Sequence, residues 1–278
     1  MFRELGSNVW DANANENAQW LANPNRKGED DLGDIYGVQW RKWPAFKRIR
    51  PSDFGGIANE KWEEVRSKLS AEGWKSIQSN GDTITDLNDL ELIYYKEIDL
   101  LGECVRKIML TPSDRRILFH AWNPAALDSM ALPPCHVLYQ FLPSVATKEL
   151  SLTMYIRSWD LFLGGPFNIA EGALLVELVA RLTGYTAKHL SIFSSDTHIY
   201  ENSLEAVNLQ LTRKPLPGPK LIIADTVPSF TAINEAYPND KEMQVKVAIE
   251  ALSGVLPDDF SLEDYVTHPA LPKVKMAV

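Results

Sequence analysis

Cysteine is scarce in this sequence: 278 residues carry two, Cys104 and Cys135. Two thiols build neither a disulfide framework nor a metal site, and they fit a reducing cytoplasm. Long apolar runs are lacking, so nothing reads as a membrane-spanning helix, and the N-terminus has no signal-peptide pattern. Basic charge is in deficit. A net charge of −9 argues against a surface for DNA or other nucleic acid. It leaves room for a small anionic ligand, because a few arginines can still converge locally. Repeats, low-complexity tracts and linker-like stretches are missing too, so nothing divides the chain. What is abundant is core-forming material. Hydrophobic residues make up 45% of the chain, so a full core is possible, and 278 residues are enough for one large or two small domains.

Periodicity gives a coarse map. An Asn/Ala-rich run follows Val9-Trp10-Asp11 and reads as a helix. Residues 59–70 read as a helix with Trp62, Val65 and Leu69 on one face and Gly73 beyond its end. Residues 94–110 read as a second helix, with Ile98, Leu101, Val105 and Ile108 as its stripe and Cys104 as a small core residue. Thr111-Pro112 stops it, Ser113-Asp114-Arg115-Arg116 turns, and 117–122 reads as a strand. Strands are expected over 136–142 and 150–156. In the second, Leu150, Leu152, Met154 and Ile156 alternate with Ser151, Thr153, Tyr155 and Arg157, so Arg157 falls on the polar face. A long helix is expected over 168–182, closed by Gly184. Helices over 203–211 and 241–252 and a strand over 220–223 complete the map.

Chemistry concentrates around Leu132-Pro133-Pro134-Cys135-His136, where two prolines with fixed φ lead a cysteine into a strand. Downstream lie Arg157-Ser158-Trp159-Asp160, then Leu163-Gly164-Gly165-Pro166-Phe167-Asn168, then Asp196-Thr197-His198-Ile199-Tyr200. Upstream lies Asp31-Leu32-Gly33-Asp34-Ile35-Tyr36-Gly37. Each motif alone is weak. In this order and spacing, from about Val9 to Val278, they resemble the folate-dependent thymidylate synthase family, which uses a cysteine nucleophile.

The resemblance implies an α/β (α+β) fold: a mixed sheet flanked by helices, with sheets stacked back to back in a homodimer. It implies one domain over 1–278 with a peripheral insertion at about 44–90. It implies a cytoplasmic enzyme that methylates dUMP to dTMP with 5,10-methylenetetrahydrofolate as co-substrate and no metal. Cys135 would add to C6 of the pyrimidine, which makes C5 a carbon nucleophile. Arg157 would touch the sulfur and the substrate phosphate, and its positive charge would lower the thiol pKa. Tyr36 and His136 would serve the proton leaving C5. Asn168 would read the uracil edge, since an amide offers both a donor and an acceptor. His198 and Tyr200 would hold the sugar, and Ser158 the phosphate. Arg115 and Arg116 would reach the phosphate in the other subunit. Trp10, Asp160, Leu163, Gly164 and Ala277 would face the folate.

Read without the family, Asn168 could equally be a helix cap, and His198 an ordinary surface or core residue. The sequence also departs from the family pattern. It matches from Phe2-Arg3-Glu4-Leu5-Gly6 onward, so the family's N-terminal segment, with an arginine loop and a catalytic Glu, is expected to be lacking. Ser194-Ser195 stands where a Gly-containing turn is expected, Ser203 where many members have His, and Trp159 where a small residue is usual. Two further functions are therefore open: a sibling hydroxymethylation of dUMP, and a truncated, non-catalytic family member.

Overall fold

The computed structural model describes residues 14–77, 91–272 and 274. They fall into two compact units. Gly37–Leu100 form one, and the rest of the described residues form the other.

The smaller unit is built on a three-stranded antiparallel sheet. Strand β1 (Trp43–Ile49) pairs with β3 (Leu92–Ile98), and β2 (Lys75–Ile77) pairs with the other edge of β3. The expected helix over 94–110 is therefore wrong in its first third. Tyr94 and Ile98 do have helical spacing, but the β-formers Leu92-Ile93-Tyr94-Tyr95 pair with β1 along its whole length, and Tyr95 meets Phe46 across the strands at 5.3 Å. The helix that remains is Leu100–Leu110. Within the same small unit, the helix Glu60–Ala71 is capped by the Asn59 side chain, which accepts from the Lys61 N–H. It buries Trp62 and Leu69 against Tyr94, as its stripe predicted.

The larger unit carries the four-stranded sheet β4-β5-β6-β7, formed by β4 (Leu118–His120), β5 (His136–Ser144), β6 (Glu149–Asp160) and β7 (Thr186–His198). The first three strands are antiparallel, and β7 runs parallel to β6. The sheet is thus mixed, and the architecture is α/β. The alternation read on β6 holds: Leu150, Leu152, Met154 and Ile156 are fully buried. Tyr155 and Phe193, neighbours in register on β6 and β7, stay 39% and 62% exposed.

The crossover from β6 to β7 is a 20-residue helix, Gly164–Thr183, ended by Gly184 in the left-handed conformation at φ 76°. Gly172 lets this helix lie close to β7, because a Cβ there would come within 2.9 Å of Leu190. The helix starts four residues before the expected 168, and Ile169 in its first turns is 47% exposed, whereas Leu175, Val176, Val179 and Leu182 are buried. The Ser194-Ser195 turn is absent. Those residues continue β7 as extended strand, because Ile156 and Ser158 of β6 pair with Ser194 and Asp196. Helices Leu204–Leu211, Phe230–Ala236 and Lys241–Gly254 follow, with a small antiparallel pair of strands, β8 (Lys220–Ile223) and β9 (Phe260–Glu263). The sequence pattern missed β7 as a strand, Phe230–Ala236 and β9. The apolar pattern of β7 is blurred because Phe193 stands on its exposed face and Ser194 on the more covered one.

Candidate active site

Two backbone features deliver Cys135. The loop before Tyr36 is zipped to the segment before the cysteine: Asp34 N–H donates to Ser129 O at 2.9 Å, and Ala131 N–H to Leu32 O at 3.0 Å. Gly33 has no room for a side chain here, since a Cβ would meet Ser129 O at 2.0 Å. The Pro133-Pro134 carbonyls, which lead into Cys135, then accept from the Arg157 guanidinium, Nε to Pro134 O and Nη2 to Pro133 O, both at 2.9 Å. Arg157 N–H also donates to Cys135 O at 2.9 Å. The phenol of Tyr36 accepts from the Cys135 backbone N–H at 2.9 Å. The arginine and the tyrosine thus fix the backbone on either side of the thiol.

The thiol is half-buried. Burial pushes its pKa up, and the Arg157 charge, pulling the other way, does not win. The expectation of a depressed thiol pKa is therefore reversed. Alkylation of Cys135 by iodoacetamide should keep accelerating as pH rises through and beyond the ordinary thiol range, with Cys104, 1% exposed, left unlabelled. Peptide mass mapping checks this, and a rate that levels off below the ordinary thiol range would contradict it.

A bulge in β5 composes the rest of the site. Between His136 and Leu138 the register to β6 shifts by one residue. In a regular strand His136 and Tyr139 would face opposite ways. With the extra residue both turn to the covered face, beneath the Gly164–Thr183 helix. His136 Nδ1 lies 2.9 Å from Tyr139 Oη, and His136 Nε2 lies 2.7 Å from Asn168 Nδ2. Tyr36 stacks on the His136 ring at 5.1 Å. Trp159 Nε1 donates to Asn168 Oδ1 at 3.0 Å, and Tyr139 Oη donates to Glu171 Oε1 at 3.3 Å. Burial holds His136 neutral, its pKa lowered to about 4, and drives the Tyr36 phenol up, so its hydroxyl stays protonated. Glu171 is pushed up to about 7 by burial, although 39% of its side chain remains open and water tempers that push.

Asn168 lies inside its helix, so the capping alternative fails. Asp160 takes a structural part as well: its Oδ1 accepts from the Phe162 and Leu163 N–H groups, both at 3.2 Å, and so turns the chain into the helix. Gly164 sits against Asn168, where a Cβ would approach Oδ1 to 3.4 Å. Parallel pairing of Ser158 with Asp196 and of Asp160 with His198 lays the histidine motif beside the arginine motif. His198 meets Tyr200 edge-on at 5.1 Å, and among the described residues its Nδ1 finds no hydrogen-bond partner, with Asp196 Oδ1 at 3.6 Å.

Arg115 and Arg116 are not brought to this cluster. Both are exposed in the loop before β4, where Arg116 Nε donates to Asp114 at 2.9 Å. Trp10 and Ala277 lie outside the described residues. Sequence reasoning missed Tyr139 and Glu171. The available signal was a lone acid three residues after Asn168, on the same helix face. Among the described residues no group of three or more His, Cys, Asp or Glu could hold a metal, and no helix is long and apolar enough to cross a membrane.

The thymidylate synthase family model matches residues 1–278. The chain belongs to the thymidylate synthase family. A thymidylate synthase of Pseudomonas syringae pv. tomato is 51% identical over 270 residues, which are 97% of this chain and 76% of that protein. One of Bordetella parapertussis is 46% identical, again over 97% of this chain and 76% of its own length. The human enzyme is 33% identical over 98% of this chain and 67% of its own. Thymidylate synthases are methyltransferases that take methylenetetrahydrofolate as co-substrate and use no metal.

Proposed function

We propose that this chain is a methyltransferase that converts dUMP to dTMP with 5,10-methylenetetrahydrofolate, working through a covalent adduct on Cys135. The observation that carries this reading is family membership across the whole chain, joined to a cysteine whose backbone is held by Tyr36 and Arg157 and whose neighbour His136 faces the Asn168 amide. Cys135 Sγ adds to C6 of the uracil, and C5 gains the electron pair that attacks the one-carbon unit. Tyr36, protonated and stacked on His136, is placed to pass a proton through a hydroxyl or an ordered water. Asn168 reads the uracil edge. Ser158, His198 and Tyr200 hold the phosphate and sugar. The folate supplies the one-carbon unit and the hydride, and Asp160, Leu163 and Gly164 are assigned to it, with Trp10 and Ala277 assigned by the family resemblance alone.

A homodimer is part of the proposal. The open sheet face with Tyr155 and Phe193 supports it, because such a face would be covered by a second sheet. Arg115 and Arg116, exposed and outside their own cluster, would then act in the partner's site. The compact Gly37–Leu100 unit encloses the 44–90 segment read as an insertion, and none of the assigned residues lies in it. Two free cysteines support a cytoplasmic setting.

The test is the mass of the product formed from dUMP and methylenetetrahydrofolate. A methyl product with dihydrofolate alongside is expected. A hydroxymethyl product with tetrahydrofolate released would replace this reading with the sibling chemistry. No adduct and no product would favour a non-catalytic member.

A further inference from the structure

Five side chains in the site form one continuous hydrogen-bonded line: Trp159, Asn168, His136, Tyr139 and Glu171. Its direction follows from what each group can do. An indole N–H only donates, so Asn168 Oδ1 accepts from Trp159. Asn168 Nδ2 only donates, so His136 Nε2 accepts. A neutral imidazole then carries its proton on Nδ1 and donates to Tyr139 Oη. The tyrosine's own proton is left for Glu171 Oε1. Every donor faces an acceptor along the line, and its two ends are a group that can only give and a carboxylate that takes. The second carboxylate oxygen, Oε2, stands 3.5 Å from His136 Nδ1 and favours the same tautomer. His136 and Tyr139 are 6% and 0% exposed, so no bulk water competes in the middle of the line.

We propose that Glu171 is a positioning residue for base selection: as the terminal acceptor of this line it fixes the His136 tautomer, and through it the orientation of the Asn168 amide. The inference rests on the assignment of Asn168 to the pyrimidine edge. It matters because uracil and cytosine present opposite patterns there. Uracil offers an acceptor at O4 and a donor at N3–H, whereas cytosine offers a donor at the amino group and an acceptor at N3. Asn168 keeps one N–H and one oxygen lone pair beyond those used in the line. An amide held in one orientation pairs with uracil, and the same amide turned over pairs with cytosine. With Glu171 lost, the Tyr139 hydroxyl can turn round and donate to His136 Nδ1. The imidazole proton then moves to Nε2, which faces the Asn168 N–H group, so the amide loses its hold at His136 and is kept from turning by Trp159 alone.

The test compares Glu171→Gln with Glu171→Met in the full chain. Glutamine keeps an acceptor oxygen at the same reach, and methionine keeps the length without it. The measured quantities are kcat and KM for dUMP and the inhibition constant of dCMP against it. The methionine variant should lose roughly tenfold in discrimination between the two nucleotides, carried mainly by KM for dUMP and by tighter dCMP inhibition. Glutamine should restore the wild-type ratio. Equal ratios in wild type and methionine variant, or equal losses in both variants, would overturn the inference. Should the methionine variant fail to fold, Glu171→Leu removes the same acceptor and must show the same loss; an unchanged ratio there also overturns it. Wild-type protein that neither binds nor turns over dUMP would instead refute the functional reading, which keeps the two failures apart.

Discussion

Cys135→Ala is expected to lower dTMP formation by at least about 10⁴-fold while leaving dUMP binding close to wild type, a loss on the order seen when other enzymes lose their nucleophile. The sulfur supplies the bond to C6, and no other thiol can replace it: Cys104 is buried in its helix. The backbone around position 135 is held by Tyr36 Oη and by the Pro133 and Pro134 carbonyls on Arg157, none of which uses the side chain. Alanine should therefore keep the site's shape. Single-turnover assays and calorimetric titration with dUMP check the two halves. Residual turnover near wild type would remove Cys135 from the nucleophile role.

Asn168→Asp is expected to shift the kcat/KM ratio of dUMP over dCMP by roughly a hundredfold toward dCMP, the scale on which a site built around a hydrogen bond rejects the wrong partner. The carboxylate loses the N–H group that faces His136 Nε2 at 2.7 Å. Acceptor would then face acceptor. His136, neutral because burial lowers its pKa to about 4, must take a proton at Nε2 or change tautomer to relieve the clash. A change of tautomer reverses the line toward Tyr139 and Glu171, a second proton on the ring places a charge in a buried site, and in both cases the base edge now meets an acceptor in place of a donor. Competition kinetics with both nucleotides measures the ratio. A ratio within about twofold of wild type would remove Asn168 from base reading.

Much of the frame was legible because it rests on local rules. The alternation of Leu150, Leu152, Met154 and Ile156 put Arg157 on the open face of its strand, and Gly184 in the left-handed region ended the long helix where its lack of a Cβ allows. The Asn59 cap and the Trp62–Leu69 stripe were likewise written in neighbouring residues. The errors have a common cause. Residues 94–98 have helical spacing, but pairing with Trp43–Ile49, some fifty residues upstream, makes them a strand. Ser194-Ser195 has turn composition, but a parallel neighbour draws it into β7. Long-range pairing overrides local preference wherever backbone groups must find partners.

The sequence by itself determined which chemistry is on offer. Cys135 after Pro133-Pro134, Arg157, Asn168 and the His198 motif stand in an order that names a family, because reactive groups and rigid residues are properties of the chain. Tertiary structure alone decided how those groups are poised. A one-residue bulge at His136 turns two side chains of opposite parity to one face, and a crossover helix sets Asn168 and Glu171 above them. Burial then raises the Cys135 thiol against the pull of Arg157 and keeps His136 neutral. Charge state and hydrogen-bond direction depend on solvent exclusion and on partners far apart in the chain, and no spacing of residues encodes them.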